Sequence, residues 1–172
     1  MNINFNFWQN RKVFITGHSG FKGAWLAQVL KKFGAEIYGY SLESKPSNSI
    51  FKELYLQNNY FKNNYFLNIS NFNQLKDSIQ KSNPDIIFHL AAQPLVRKSY
   101  KDPLETWNTN VIGTLNLLEA AKTLNKRIAI VVVTTDKVYQ NKEIIYSYSE
   151  EDILGGHDPY SASKAAVEIA VK

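Results

Sequence analysis

The sequence predicts an α/β fold, a doubly wound parallel sheet with helices over both faces. Two observations carry this. Strand-like apolar runs alternate with helix-period segments along the whole chain, and the first run ends at a glycine that opens a helix. Residues 12–16 (KVFIT) form a short buried strand. Residues 21–33 repeat apolar side chains at helical spacing and stop before Gly34, a C-terminal cap. A second strand covers 36–41, a short helix 49–56 and a third strand 65–69. The helix at 71–81 is stopped by Asn83-Pro84, because the residue before proline avoids the helical region. Residues 85–90 (DIIFHL) make the fourth strand, and 104–124 one long helix with Val111, Leu115, Leu118 and Ala121 on a face. Residues 127–134 (RIAIVVVT) are almost wholly apolar and are expected to be a central fifth strand. A loop over 136–157 follows. Asp158 then caps a last helix that has Pro159 at its first position. Trp25 and Trp107 are expected to pack into the core, and the asparagines of 57–64 and 68–73 to lie at turns and surface. Parallel neighbours of this kind are joined by right-handed crossovers.

The bulk numbers narrow the classes. At 172 residues the chain reads as one domain with room for a core, with no repeat or linker dividing it. It has no cysteine, which excludes disulfides and thiolate metal sites and fits a cytoplasmic protein. The net charge is +5, but the lysines are scattered, so a solvated basic surface is expected rather than a nucleic-acid site. No apolar stretch approaches the roughly 20 residues of a membrane span, and the N-terminus lacks an export pattern. Three dispersed histidines without ligand spacing argue against a metal: His89 reads as a core residue and His157 as loop surface.

Gly17-His18-Ser19-Gly20-Phe21-Lys22-Gly23 joins the first strand to its helix. The three glycines suit a tight turn, close approach to a pyrophosphate and packing of helix on sheet. The helix N-terminus favours the phosphate charge. This is a dinucleotide-binding, Rossmann-like signature. An acid at the end of the second strand would select the free ribose hydroxyl of NAD; Ser41 stands there, with Glu43 just beyond. Ser41 can still bond the ribose, and NADP is not excluded.

Tyr160 and Lys164 are four residues apart, one turn on one helix face. An ammonium near a phenol favours the phenolate, a general base for a sugar or alcohol hydroxyl. The spacing alone is common; together with the glycine loop it points to hydride-transfer chemistry. Thr135, Asp136 and Lys137 emerge from the fifth strand, at the end where such sheets bind ligands. Thr135 suits a bond to the oxygen that Tyr160 deprotonates, Asp136 an acid for a leaving hydroxyl, and Lys137 an aid to proton removal. The alternative is a turn cap made by Thr135 and Asp136, with Lys137 in solvent. Asn110 falls mid-helix, where asparagine is a poor helix former, and suits a structural or active-site hydrogen bond.

These residues together resemble the extended short-chain dehydrogenase/reductase family, through the glycine pattern, Leu90-Ala91-Ala92-Gln93 after the fourth strand, Asn110 and Tyr160/Lys164. Similarity is greater to its CDP-glucose 4,6-dehydratase members, in GHSGFKGAW at 17–25, GYSL at 39–42, HLAAQPLVR at 89–97, TNVIGT at 109–114, TDK at 135–137 and LGGHDPYSASK at 154–164. The dTDP-glucose dehydratases usually carry glutamate where Lys137 stands. The family often has aspartate for the adenine at the end of the third strand, where this chain has Asn68, and cysteine where it has Val138.

The resemblance implies an NAD-dependent hydro-lyase acting on CDP-glucose, for deoxysugars of surface polysaccharide such as lipopolysaccharide O-antigen. It implies that 17–23, Ser41, Asn68, Ile69, Leu90, Ala91, Ala92, Gln93, Asn110, Tyr160 and Lys164 hold the dinucleotide, with His18 able to touch it. Thr135, Asp136, Lys137, Tyr160 and Lys164 would be catalytic. A homodimer through the helix at 104–124 and the one beginning at Tyr160 is implied as well. The last helix is expected to run further, with another strand and a substrate-binding region beyond this chain. Two rivals stand: an epimerase or NADP-linked reductase on the same fold, and a dinucleotide-binding fragment without catalysis.

Overall fold

The computed structural model describes residues 5–43, 50–57 and 60–172. They divide into two compact units, one formed by residues 1–91 with 116–132 and the other by 92–115 with 133–172.

The first unit holds a five-stranded sheet in the order β3-β2-β1-β4-β5. Its strands are β1 (Lys12–Thr16), β2 (Glu36–Ser41), β3 (Phe61–Phe66), β4 (Ile86–His89) and β5 (Ala129–Val132). Every pairing is parallel. The helices α1 (Phe21–Lys32), α2 (Ile50–Gln57) and α3 (Phe72–Ser82) connect the first four strands. Side chains alternate across β1 as the pleat requires, so it feeds two cores. Phe14 joins Tyr38, Tyr40, Leu75, Ile79, Ile87 and Leu117, while Val13 and Ile15 join Ala27, Leu30 and Ile37. Asn71 caps α3, its side chain accepting from the Gln74 N–H. Asn83 ends it in the left-handed region at φ 44°, ahead of the proline that forbids continuation. Gly34, at φ +86°, follows the Phe33 cap of α1, as the sequence suggests.

Four expectations need correction. The third strand starts and ends earlier than 65–69, sharing only Tyr65 and Phe66 with that span, because Asn68 leaves the extended run: its Oδ1 accepts the Ser70 N–H at 2.9 Å and forms a turn. Asn63 and Asn64 are therefore strand residues, paired with Tyr38 and Gly39. The fifth strand is short and sits at the sheet edge among the described residues, with Val131 exposed, not at the centre. Trp25 and Trp107 are both more than 40% exposed. On α1 the inward positions belong to Gly23, Ala24 and Ala27, small residues that let the helix approach the sheet, and to Leu30, which fills the core.

The expected helix over 104–124 is interrupted. α5 (Pro103–Trp107) passes into a π-helical turn at Asn108–Ile112 and then into α6 (Gly113–Lys122). A short α4 (Val96–Lys101), which the pattern does not announce, precedes it, and α7 (Pro159–Val171) closes the chain. No helix among the described residues is long and apolar enough to cross a membrane.

Candidate active site

In the first unit, β1 delivers the chain into the glycine loop. Gly17 has φ +73°, and a Cβ there would lie 2.7 Å from the Ala91 nitrogen. A Cβ on Gly23 would lie 2.2 Å from the Gly17 carbonyl oxygen. Both glycines are therefore demanded by the protein itself. Gly20 is different: its φ of −78° is open to any residue, and a Cβ would meet only the Gly17 oxygen, at 3.3 Å. A Cβ there asks the Gly17 carbonyl to give by only a few tenths of an ångström, far less than at Gly17 or Gly23, and a glycine there suits a phosphate against the α1 N-terminus. Gly20 is the N-cap of α1 and offers no side-chain acceptor to its N–H groups. The loop thus fits a dinucleotide pyrophosphate, and the exposed Phe21 and Lys22 begin the helix beside it.

The neighbouring residues take distinct parts. Thr16 ties β1 to β4: its Oγ1 shares a 2.7 Å hydrogen bond with His89 Nδ1 and accepts from the Leu90 and Ala91 N–H groups. His89 is thus the buried core histidine the sequence suggests. Ser41 ends β2 and donates to Ser19 Oγ at 2.9 Å, while Ser19 also donates to the Leu42 carbonyl at 2.8 Å. An uncharged hydroxyl pair occupies the place of the usual ribose acid. Ile69 is buried in the core, and the Asn68 carbonyl accepts from Tyr40. Asn68 lines an open depression with Ser70, Asn71, Phe72 and Asn73.

His18 does not face the loop's open side. Its ring is fully buried and packs edge-on against Phe51 and Phe61, with Phe66 also near. Gly39 makes this possible, since a Cβ there would lie 2.5 Å from His18 Cδ2. Among the described residues neither ring nitrogen has a hydrogen-bond partner, nor has either polar atom of the Asn64 amide. Burial pushes the His18 pKa down to about 4; the Tyr40 backbone and the Asn64 amide lie near enough to offset part of that penalty. Any contact of His18 with a dinucleotide falls to its backbone.

In the second unit, Asp158 caps α7 by accepting from the Tyr160 and Ser161 N–H groups at 2.9 and 3.0 Å. This starts the helix so that Tyr160 and Lys164, both buried, share one face. Lys164 Nζ donates to the Val133 carbonyl at 3.0 Å, just past β5. The Tyr160 hydroxyl makes no hydrogen bond among the described residues, which leaves it for a ligand.

Asn110 sits in the π turn. Its Oδ1 accepts the Gln93 N–H at 2.8 Å, and its Nδ2 donates to the Gln93 carbonyl and to Ser163 Oγ. Ser163 donates to the Tyr160 carbonyl at 2.6 Å. Such turns widen a helix locally and are frequent at functional sites. The Gln93 side chain is consumed internally, donating to Thr106 Oγ1 and accepting from the Leu95 N–H, so it braces the segment after Ala92.

Thr135 caps a single 3₁₀ turn, Asp136–Val138, and donates to Asp136 Oδ1 at 3.0 Å. Locally this is the cap arrangement. Asp136 and Lys137 are nevertheless exposed and open to a substrate. Ser163 and Glu168 escape the sequence reading. Ser163, three residues after Tyr160, and Glu168, four after Lys164, were findable from helical spacing alone. No group of three or more His, Cys, Asp or Glu side chains able to hold a metal occurs among the described residues.

A parallel sheet whose first strand opens into a glycine loop, followed in the chain by a helix bearing tyrosine and lysine, is the Rossmann-like class of fold. The family model described as GDP-mannose 4,6 dehydratase matches residues 14–172, and the chain belongs to that family of nucleotide-sugar dehydratases and epimerases. It is 45% identical over 167 residues to CDP-glucose 4,6-dehydratase of Salmonella typhimurium, covering 97% of this chain and 46% of that protein. It is 32% identical to dTDP-D-glucose 4,6-dehydratase of Dictyostelium discoideum, over 94% of this chain and 40% of the relative. Among solved structures, UDP-glucose-4-epimerase of Stenotrophomonas maltophila, with bound NAD and formylated UDP-arabinopyranose, superposes with a TM-score of 0.82 at 21% identity. That match covers 94% of this chain and 48% of the epimerase, and shows the shared fold. The chain thus spans about half the length of the proteins it matches.

Proposed function

We propose that this chain is the cofactor-binding and acid–base part of an NAD-dependent dehydratase that converts CDP-glucose to CDP-4-keto-6-deoxyglucose. The observation that carries the reading is the 45% identity with CDP-glucose 4,6-dehydratase over almost the whole chain. Residues 17–23, Ser41, Asn68, Leu90 and Ala91 would hold NAD, which when bound supplies a hydride acceptor for C4 and returns that hydride at C6. Tyr160 takes the proton of the C4 hydroxyl, with Lys164 supporting the phenolate and Thr135 bonded to the same oxygen. The C4 ketone so formed acidifies the C5 proton, which Lys137 helps remove. Asp136 gives a proton to the departing C6 hydroxyl, so one water leaves across C5–C6. The product suits deoxysugar synthesis in the cytoplasm.

Leu104, Trp107, Ile112 and Leu115 are exposed apolar residues, as are Ile169 and Val171 on α7, and these support a homodimer. The test is incubation of this chain, and of any longer product of its reading frame, with NAD and CDP-glucose, with the sugar nucleotide weighed by mass spectrometry. Loss of one water is expected. An isomer of unchanged mass identifies an epimerase, and a sugar nucleotide that stays unaltered with either length rejects the dehydratase.

A further inference from the structure

We infer that Glu168 is a positioning residue: through Thr134 it fixes the chain leaving β5, and so the carbonyl on which Lys164 rests. Thr134 Oγ1 donates its hydrogen to Glu168 Oε1. On the residue before, the Val133 carbonyl accepts from Lys164 Nζ at 3.0 Å. On the residue after, Thr135 caps the Asp136–Val138 turn. Lys164 and Glu168 are four apart on α7, so the strand exit is fastened to that helix at two points one turn apart.

The two fastenings have opposite polarity. At Val133 the helix donates; at Thr134 it accepts. Each neighbouring residue of the strand exit is thereby assigned to a separate turn of α7, and the segment cannot slide along the helix without losing both bonds. Glu168 touches none of the groups assigned to the reaction. It acts on Lys164 through Thr134 and the Val133 carbonyl, and on Thr135 through the chain. A charge-assisted bond from hydroxyl to carboxylate is stronger than a neutral one, and removing either partner leaves the other without its partner in a half-buried place. The inference deepens the dehydratase reading and rests on it for the consequence in turnover, but not for the geometry.

The experiment therefore has two readouts. The first needs no substrate: limited acylation of lysines in this chain, mapped peptide by peptide by mass spectrometry. Lys164, 5% exposed, is expected to label slowly in the unaltered chain. It is expected to label about tenfold faster in Glu168→Leu and in Thr134→Val, with the other lysines unchanged. Glu168→Gln keeps an acceptor for the Thr134 hydroxyl and is expected to restore the protection. The second readout is turnover, where Glu168→Leu lowers kcat by about tenfold or more with KM little changed and Glu168→Gln recovers most of it. Unchanged Lys164 labelling in both Glu168→Leu and Thr134→Val overturns the inference. So does equally faster labelling of the half-buried Lys12, Lys31 and Lys76 alongside Lys164, which signals loss of fold alone. Failure of the unaltered protein to dehydrate sugar nucleotides sinks the dehydratase reading while the labelling pattern still decides the role of Glu168.

Discussion

Asn110 Nδ2 donates to Ser163 Oγ at 2.9 Å, and through Ser163 it reaches the backbone of Tyr160. Fifty-three residues separate them in sequence. Asn110 also makes two bonds to the Gln93 backbone, so one buried amide joins three segments of its unit. Asn110→Leu would strand the Gln93 N–H in the interior. It is expected to cost about 1–3 kcal/mol, read as a lowered denaturation midpoint, and turnover should fall further than stability alone accounts for.

Tyr160→Phe removes a hydroxyl that no described residue uses. Its melting temperature should match the unaltered chain within about a degree or two, and it should still bind NAD. Turnover should drop by a factor of about 10² or more. A variant with near-normal turnover would remove Tyr160 from the chemistry.

Asp136→Asn tests the second half of the reaction. The amide cannot give a proton to a departing hydroxyl, so C4 oxidation should proceed and elimination stall. Reduced nicotinamide would then accumulate, visible by its absorbance, without water loss in the product. Dehydration at the normal rate would reassign the acid.

The three glycines of the loop should separate into two classes. Gly17→Ala and Gly23→Ala meet backbone atoms at 2.7 and 2.2 Å and should destabilise the fold. Gly20→Ala meets only the Gly17 oxygen, at 3.3 Å, so its melting temperature should fall much less than theirs while NAD affinity falls, measured by calorimetric titration. Unchanged affinity would mean that the dinucleotide does not approach this backbone.

His18 predicts an acid-sensitive stability. Burial holds its pKa at about 4 in the fold, against 6.5 for a solvated histidine. The unfolded chain therefore binds the extra proton between those pH values, and its contribution is complete above about 6.5 and lost as pH falls through 4. The span corresponds to about 3 kcal/mol. Denaturant midpoints measured from pH 7.5 down to 4 should fall, and His18→Phe should fall less steeply. Parallel curves for the two would remove His18 as the cause.

The fold was legible where apolar periodicity and punctuation coincide. β1, β2, α1 and α3 each begin or end at a glycine, an asparagine or a proline with a defined backbone need. β3 was misread because Tyr65–Ile69 looks more strand-like than Asn63-Asn64, and only pairing with β2 decides which residues are extended. β5 was misplaced because an apolar run states that a strand is buried somewhere, not how many neighbours it has. The place of the glycine loop at the α1 N-terminus and of Tyr160 and Lys164 on one helix could be read from spacing, since each is local. The direction in which a side chain turns could not. His18 lies in a loop motif yet points into an aromatic pocket, through a space that Gly39 leaves in a different strand.

The π turn at Asn108–Ile112 has a consequence for editing this chain. Each residue of an α-helix advances the face by about 100°, and the wider turn holds one residue more than a regular helix would. Deleting a single residue there would restore ideal winding and swing Thr114 and Leu115 about a quarter turn around the axis relative to Pro103–Trp107. Thr114, buried and bonded to the Asn110 carbonyl, would be carried out of its place. The segment therefore tolerates substitution more readily than any change of length, and an alignment that closes a gap within it would assign every later residue of the helix to the wrong face.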